Sequence, residues 1–200
     1  MVNLIIDGKA IQAEENKTIL EAARQNGIDI PTLCFLKEIN EVGDCRMCIV
    51  EVEGRRGFVT SCVQKVEEGM VVKTNTPDIL EARKIILDLI LSNHHRDCLT
   101  CSRNGNCELQ NLCVKFNVQK VEYEGEMLEH KIDDLSPAIV RDFNKCVLCR
   151  RCVATCKKVQ GIGAIDSAQR GFASEVSTYK NKSLNDVNCT FCDNVLKLVL

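Results

Sequence analysis

Two hundred residues exceed the usual need of one small domain, so two or three modules are expected. Fourteen cysteines are far above ordinary usage. Met1 to Ile6 is a short apolar stretch closed by Asp7-Gly8-Lys9, with no signal-peptide core, so metal binding in the cytoplasm is expected over secreted disulfides. A net charge of −2 with two Tyr and six Phe argues against nucleic-acid binding, and the longest apolar run, Ile85 to Leu91, is interrupted by Asp88 and too short to span a membrane.

Taken in chain order, Val2, Leu4 and Ile6 alternate as a strand with one buried face. Asp7-Gly8 is a hairpin signal, and Ala10 to Ala13 is the return strand. Thr18 caps a helix over Ile19 to Asn26, which Gly27 stops. Ile49 to Glu53, Phe58 to Cys62 and Met70 to Thr74 complete a small mixed sheet, with a turn over Gly54 to Gly57. Strand, strand, helix, loop and further strands resembles the β-grasp of plant-type ferredoxins. Pro77-Asp78 opens a second section, with Asp78 as cap of a helix carrying Ile79, Ala82, Ile85, Ile86, Leu89 and Ile90 and running out near Ser92-Asn93. A short helix is expected from Glu108 to about Phe116, with Cys113 as a buried free thiol. Residues 119 to 136 are charged and patternless and read as a solvated linker containing a solvent-facing His130. Pro137 opens the third section.

The cysteines fall into groups with different spacings. Cys146, Cys149, Cys152 and Cys156 spell C-x2-C-x2-C-x3-C, dense enough to put three thiolates on one face of a cubane cluster. In two-cluster ferredoxins the fourth cysteine of such a run serves the other cluster. Zinc rarely uses so dense a run, because its tetrahedral sites are usually built from two separated pairs. The proline that usually follows is replaced by Lys157. Cys34, Cys45, Cys48 and Cys62 form a looser set around a C-x2-C pair. They suit a 2Fe–2S cluster with a first gap wider than in plant-type ferredoxins, or a four-cysteine zinc site. The middle section reads H-x3-C-x2-C-x5-C from His94 through Cys98, Cys101 and Cys107, with His95 as a neighbouring alternative.

With these groups in this order, the chain resembles the N-terminal relay region of FeFe-hydrogenase catalytic subunits, above all the multisubunit NAD(P)-linked type. The likeness runs from Asp7-Gly8-Lys9 through Cys146-Val147-Leu148-Cys149-Arg150-Arg151-Cys152 to Val159-Gln160-Gly161. The large subunit of NAD-dependent formate dehydrogenase is similar, as are the first two modules of the complex I 75 kDa subunit. The resemblance implies an α+β chain: a β-grasp 2Fe–2S ferredoxin domain over 1–77, a small helical 4Fe–4S domain over 78–118, a linker over 119–137 and a two-cluster 4Fe–4S ferredoxin-like domain over 138–200. It implies ligands Cys34, Cys45, Cys48 and Cys62 for the 2Fe–2S cluster, and His94, Cys98, Cys101 and Cys107 for a 4Fe–4S cluster. It further implies electron relay between a flavin- and NAD(P)H-linked subunit or ferredoxin and a catalytic centre carried elsewhere. A relay subunit of a formate dehydrogenase or NADH dehydrogenase assembly, and a zinc-stabilised interaction module, are the competing readings.

The end of the sequence departs from the pattern. A second C-x2-C-x2-C-x3-C-P run begins at Cys189 and Cys192 but has Val195 and Val199 where cysteines are expected. One 4Fe–4S cluster then keeps Cys146, Cys149 and Cys152 and lacks its ligand at Val199. The other keeps Cys156, Cys189 and Cys192 and lacks its ligand at Val195. One base inserted after the Cys192 codon, with suitable codons, restores C-G-Q-C-V-E-A-C-P, so a frame-shifted or truncated relay is expected.

Overall fold

The computed structural model describes residues 1–136 and 138–199. The chain divides into two compact units, one of residues 1–35, 41–88 and 108–119, the other of 36–40, 89–107 and the chain from 120 onward. The fold is α+β, as expected.

In the first unit, β1 (Val2–Ile6) and β2 (Lys9–Ala13) form a hairpin, joined by β3 (Ile49–Val52), β4 (Phe58–Thr60) and β5 (Val71–Lys73) in the order β2-β1-β5-β3-β4. β1 and β5 run parallel, and the other pairs are antiparallel. The hairpin turn has positive φ at both Asp7 (51°) and Gly8 (79°), as a two-residue turn matched to strand twist requires. The Asp7 carboxylate also accepts from Thr74 N (2.7 Å) and Thr74 Oγ1 (2.5 Å), tying the turn to the end of β5.

Alternation along β1 buries Val2, Leu4 and Ile6 against α1 (Ile19–Gln25), whose Ile19, Leu20, Ala22 and Ala23 are buried. A fully buried Leu or Ile contributes about 1.5–3 kcal/mol, so this shared face anchors the unit. Thr18 and Glu21 form a reciprocal capping box at the start of α1.

α2 spans Pro77–Leu91. Its cap is Thr76, whose Oγ1 accepts from Ile79 N at 3.3 Å, and not Asp78. Proline at the first helical position has no amide to satisfy, which fixes the start two residues earlier than expected. α3 spans Glu108–Lys115, with Leu109 and Leu112 buried and Cys113 half-exposed instead of buried.

In the second unit, α4 (Arg151–Ala154) continues into a π-turn over Thr155–Val159, β6 (Ile165–Ala168) pairs antiparallel with β7 (Glu175–Thr178), and α5 covers Asn194–Val199. Pro137, expected to open this section, lies outside the described residues. The charged stretch before it is tied down near its end. Asp133 bonds Arg141 (3.0 Å), Ser183 Oγ (2.6 Å) and Leu184 N (3.0 Å), and Arg141 lies over the Phe143 ring at 4.7 Å. His130 is half-buried, not solvent-facing, with Nδ1 3.5 Å from Glu175 and its ring edge-on to Phe143.

Candidate metal centres

The first unit brings Cys34, Cys45, Cys48 and Cys62 together, three of them at most 1% exposed. They meet as two pairs. Cys34 N donates to Cys45 Sγ at 3.4 Å, and Cys48 Sγ lies 3.2 Å from Cys62 Sγ. Backbone geometry holds the loop: Gly43 (φ 69°) and Arg46 (φ 59°) both take the left-handed conformation. Glycine suits position 43, where φ is positive and a Cβ would lie 3.1 Å from Val63 Cγ2 and 3.3 Å from Thr60 Oγ1, close enough that both side chains must shift. Ser61 Oγ bonds Cys48 O at 2.7 Å on the other side.

Each pair shares its protons unequally. The hydrogen bond from Cys34 lowers the Cys45 thiol to about 6, and the bond from Cys62 lowers Cys48 to about 7. Cys34 and Cys62, the other members of the two pairs, are pushed well up by the same bonds, with burial adding to the effect. Each pair therefore favours one thiolate, and iron binding would release the protons that remain. Two pairs match what a two-iron cluster needs, each iron taking two thiolates. Among the described residues, no three His, Cys, Asp or Glu side chains are gathered as a single-ion site requires.

In the second unit, His94, Cys98, Cys101 and Cys107 lie in the loop that follows α2. Asn104 N to Cys101 O and Asn106 N to Arg103 O, both 3.0 Å, close successive tight turns, and Gly105 (φ 78°) carries the chain to Cys107. Cys98 is exposed, and Cys101 and Cys107 are half-buried. His94 Nδ1 is buried without a hydrogen-bond partner, as expected of a donor awaiting a metal. Burial holds the His94 ring below the usual imidazole range, opposed by a hydrogen bond with the Cys146 backbone. His95 Nε2 is likewise buried and unbonded, 3.9 Å from Glu129 Oε1. The geometry therefore leaves both imidazoles open.

The third group meets as expected in part. Cys146, Cys149 and Cys152 sit close enough to act on one another: burial, opposed by the bond from Leu148 N, pushes Cys146 to about 11, and burial followed by the charges of Cys146 and Cys149 pushes Cys152 to about 12. Left-handed Leu148 (φ 54°) and Arg150 (φ 60°) turn the backbone between them, and Leu148 N donates to Cys146 Sγ at 3.4 Å. Asn40, 2% exposed, donates to Cys149 O at 3.1 Å and pins the loop. Lys145 pairs with Asp97, joining this loop to the one before Cys98. Cys156 is buried in the π-turn, its carbonyl accepting from Ile162 N (3.2 Å) and Gly163 N (3.4 Å).

The second, incomplete run repeats this backbone. Phe191 (φ 49°) and Asp193 (φ 62°) take the places of Leu148 and Arg150, and α5 begins where α4 does. Val195 then falls at the place of Cys152, half-buried, with a side chain that cannot ligate iron. The Val199 side chain lies outside the described residues. Sequence reasoning missed Asn40, Lys145 with Asp97, and the four left-handed non-glycine positions, because each depends on contacts or dihedrals that residue type does not announce.

Three family matches cover most of the chain. Residues 1–77 match the 2Fe-2S iron-sulfur cluster binding domain, 83–122 the NADH-ubiquinone oxidoreductase-G iron-sulfur binding region, and 136–198 the ferredoxin-like domain of NADH-quinone oxidoreductase subunit 3. Among relatives, the NADP-reducing hydrogenase subunit HndD of Solidesulfovibrio fructosivorans is 43% identical over 96% of this chain and 34% of its own length. The NADH-ubiquinone oxidoreductase 75 kDa subunit of Reclinomonas americana is 34% identical over 92% of this chain and 27% of its own. The chain thus spans about a third or less of these relatives. A crystal structure of NAD+-reducing [NiFe]-hydrogenase in the H2-reduced state superposes with a TM-score of 0.86 at 28% identity, covering 94% of this chain and 79% of that one.

Proposed function

We infer that this chain, an iron–sulfur protein of the relay region found in hydrogenase and complex I 75 kDa-type subunits, passes single electrons between clusters held on its own side chains. The observation that carries the reading is the assembly of Cys34, Cys45, Cys48 and Cys62 as two sulfur pairs in a segment that matches a 2Fe–2S domain.

Bound 2Fe–2S and 4Fe–4S clusters supply one-electron carriers. In this reading Cys34, Cys45, Cys48 and Cys62 hold the 2Fe–2S cluster, and His94, Cys98, Cys101 and Cys107 hold a 4Fe–4S cluster. Cys146, Cys149 and Cys152 supply three thiolates of a further 4Fe–4S cluster, and Cys156, Cys189 and Cys192 three of the last. Burial of the first set keeps water from its sulfurs. A neutral imidazole in the second set leaves that cluster less negative than four thiolates do, which raises its potential as His ligands do in Rieske centres. The contact of His94 with the Cys146 backbone and the Lys145–Asp97 pair support a short route between the middle and third centres. With Val195 in place of a ligand, the last centre fills incompletely.

The relatives named for NADP and NAD+ reduction support a flavin- and NAD(P)H-linked subunit, or a ferredoxin, as electron partner. A place in an NADH dehydrogenase assembly is the second reading, supported by the matches over residues 83–122 and 136–198. Cysteines that serve as cluster ligands suit a reducing compartment such as the cytoplasm, and no described helix is long and apolar enough to cross a membrane. Anaerobic reconstitution followed by metal and sulfide analysis tests the reading. It should give at least about six irons with matching sulfide from the first two centres. A colourless chain holding zinc without sulfide would refute it.

A further inference from the structure

Arg83 heads the fully buried side chains among the described residues, at 0% exposure. It lies on the face of α2 that buries Ile79 and Leu87, where an apolar residue is the ordinary choice. Its Nε donates to Met47 O (3.1 Å), its Nη2 to Ile49 O (2.9 Å) and its Nη1 to Asn75 Oδ1 (3.3 Å). The guanidinium carbon lies 5.7 Å from the centre of the Phe116 ring. Met47 and Ile49 bracket Cys48, itself fully buried. These hydrogen-bond partners are neutral, so the interior holds a positive charge whose contacts are carbonyl and amide oxygens. Burial lowers the guanidinium only to about 10, so it stays charged at neutral pH. Among the charges acting on it the Cys48 thiolate leads, followed by Asp29 and Asp7.

A buried cation is costly to keep. Here it does two things that an apolar residue could not. The fork fixes the carbonyls on either side of Cys48, and so the path of the loop that presents this thiolate. It also places positive charge beside a centre that becomes more negative when it takes up an electron, in an interior where charge is weakly screened.

We propose that Arg83 is the positioning residue of the first centre, clamping the loop around Cys48 and making the centre easier to reduce through its buried charge. The proposal rests on the reading of Cys34, Cys45, Cys48 and Cys62 as cluster ligands.

The test is an EPR-monitored redox titration of the reconstituted full chain and three variants. Arg83→Gln removes the charge and should shift the reduction equilibrium about tenfold toward the oxidised form, about 59 mV more negative for a one-electron couple. Arg83→Lys keeps the charge and should stay within that tenfold, with lower cluster occupancy because the fork is gone. Asn75→Asp, at an exposed position, sets a carboxylate beside Nη1 with the clamp intact, and should shift the potential the same way by less. If Arg83→Gln does not fold, the other two decide: Arg83→Lys shifting as far as the tenfold, or Asn75→Asp not shifting, overturns the proposal. A foldable Arg83→Gln with an unchanged potential also overturns it while leaving the ligand reading intact. An unmodified chain without a 2Fe–2S signal overturns the ligand reading and the proposal together.

Discussion

Replacing Gly43 with alanine isolates how the first cysteine loop is held. Gly43 has φ 69°, and the added Cβ would stand 3.1 Å from Val63 Cγ2 and 3.3 Å from Thr60 Oγ1. The left-handed backbone costs a non-glycine residue about 1–2 kcal/mol. Overpacking against Val63 and Thr60 adds about 1–3 kcal/mol. Together these give about 2–5 kcal/mol, concentrated on the segment that leads into Cys45. Gly54→Ala is the matched control, since Gly54 has φ 80° and nothing within 4 Å of its Cβ position, leaving only the backbone cost. Urea unfolding of the metal-free reduced chain should show Gly43→Ala less stable than Gly54→Ala by about 1–3 kcal/mol, and iron uptake at the first centre should fall in the same order. Equal stability of the two variants would refute the steric account of this loop.

Proton sharing in the two sulfur pairs predicts a stability maximum in the metal-free first unit. Cys45 and Cys48, lowered to about 6 and 7, contribute stability that is lost as pH falls through those values. Cys34 and Cys62, raised, contribute stability that is lost once the unfolded chain's thiols ionise, so urea midpoints should peak near pH 8–9, the usual thiol range, and fall on both sides. His94→Ala should convert the middle centre to a 3Fe form or lose iron there, while His95→Ala should not; the reverse in EPR would move the ligand to His95. Val195→Cys with Val199→Cys should raise iron in the third section, and a full complement without them would contradict the reading of the missing ligands.

Much of this was legible in the residues. Alternation in β1, the Asp7-Gly8 turn and the Thr18 cap are local signals, and the structure keeps them. The cysteine spacings pointed to three groups, because ligands crowded into one loop leave a mark in sequence distance alone. Arg83 was illegible for the opposite reason: its partners Met47, Ile49 and Asn75 come together only through the fold, and in sequence it is one charge within a helical pattern. The left-handed Leu148, Arg150, Phe191 and Asp193 carry no glycine to betray the turn, so the repeated loop backbone emerged only from the dihedral angles. β6 and β7 escaped because Ile165 to Ala168 and Glu175 to Thr178 are mostly small or polar. The family resemblance picks out His94, whereas the structure shows what the residues do not announce, that His94 and the adjacent His95 each carry a buried, unbonded ring nitrogen.

Freeze-quench EPR of the reconstituted chain during substoichiometric anaerobic reduction tests the relay most directly. A relay gives 2Fe–2S and 4Fe–4S signals from the same chain, with electrons that enter one centre redistributing to the others until the populations follow their potentials. Paramagnetic centres that keep whatever electron they first receive, or a chain that shows no cluster signal at all, would contradict it.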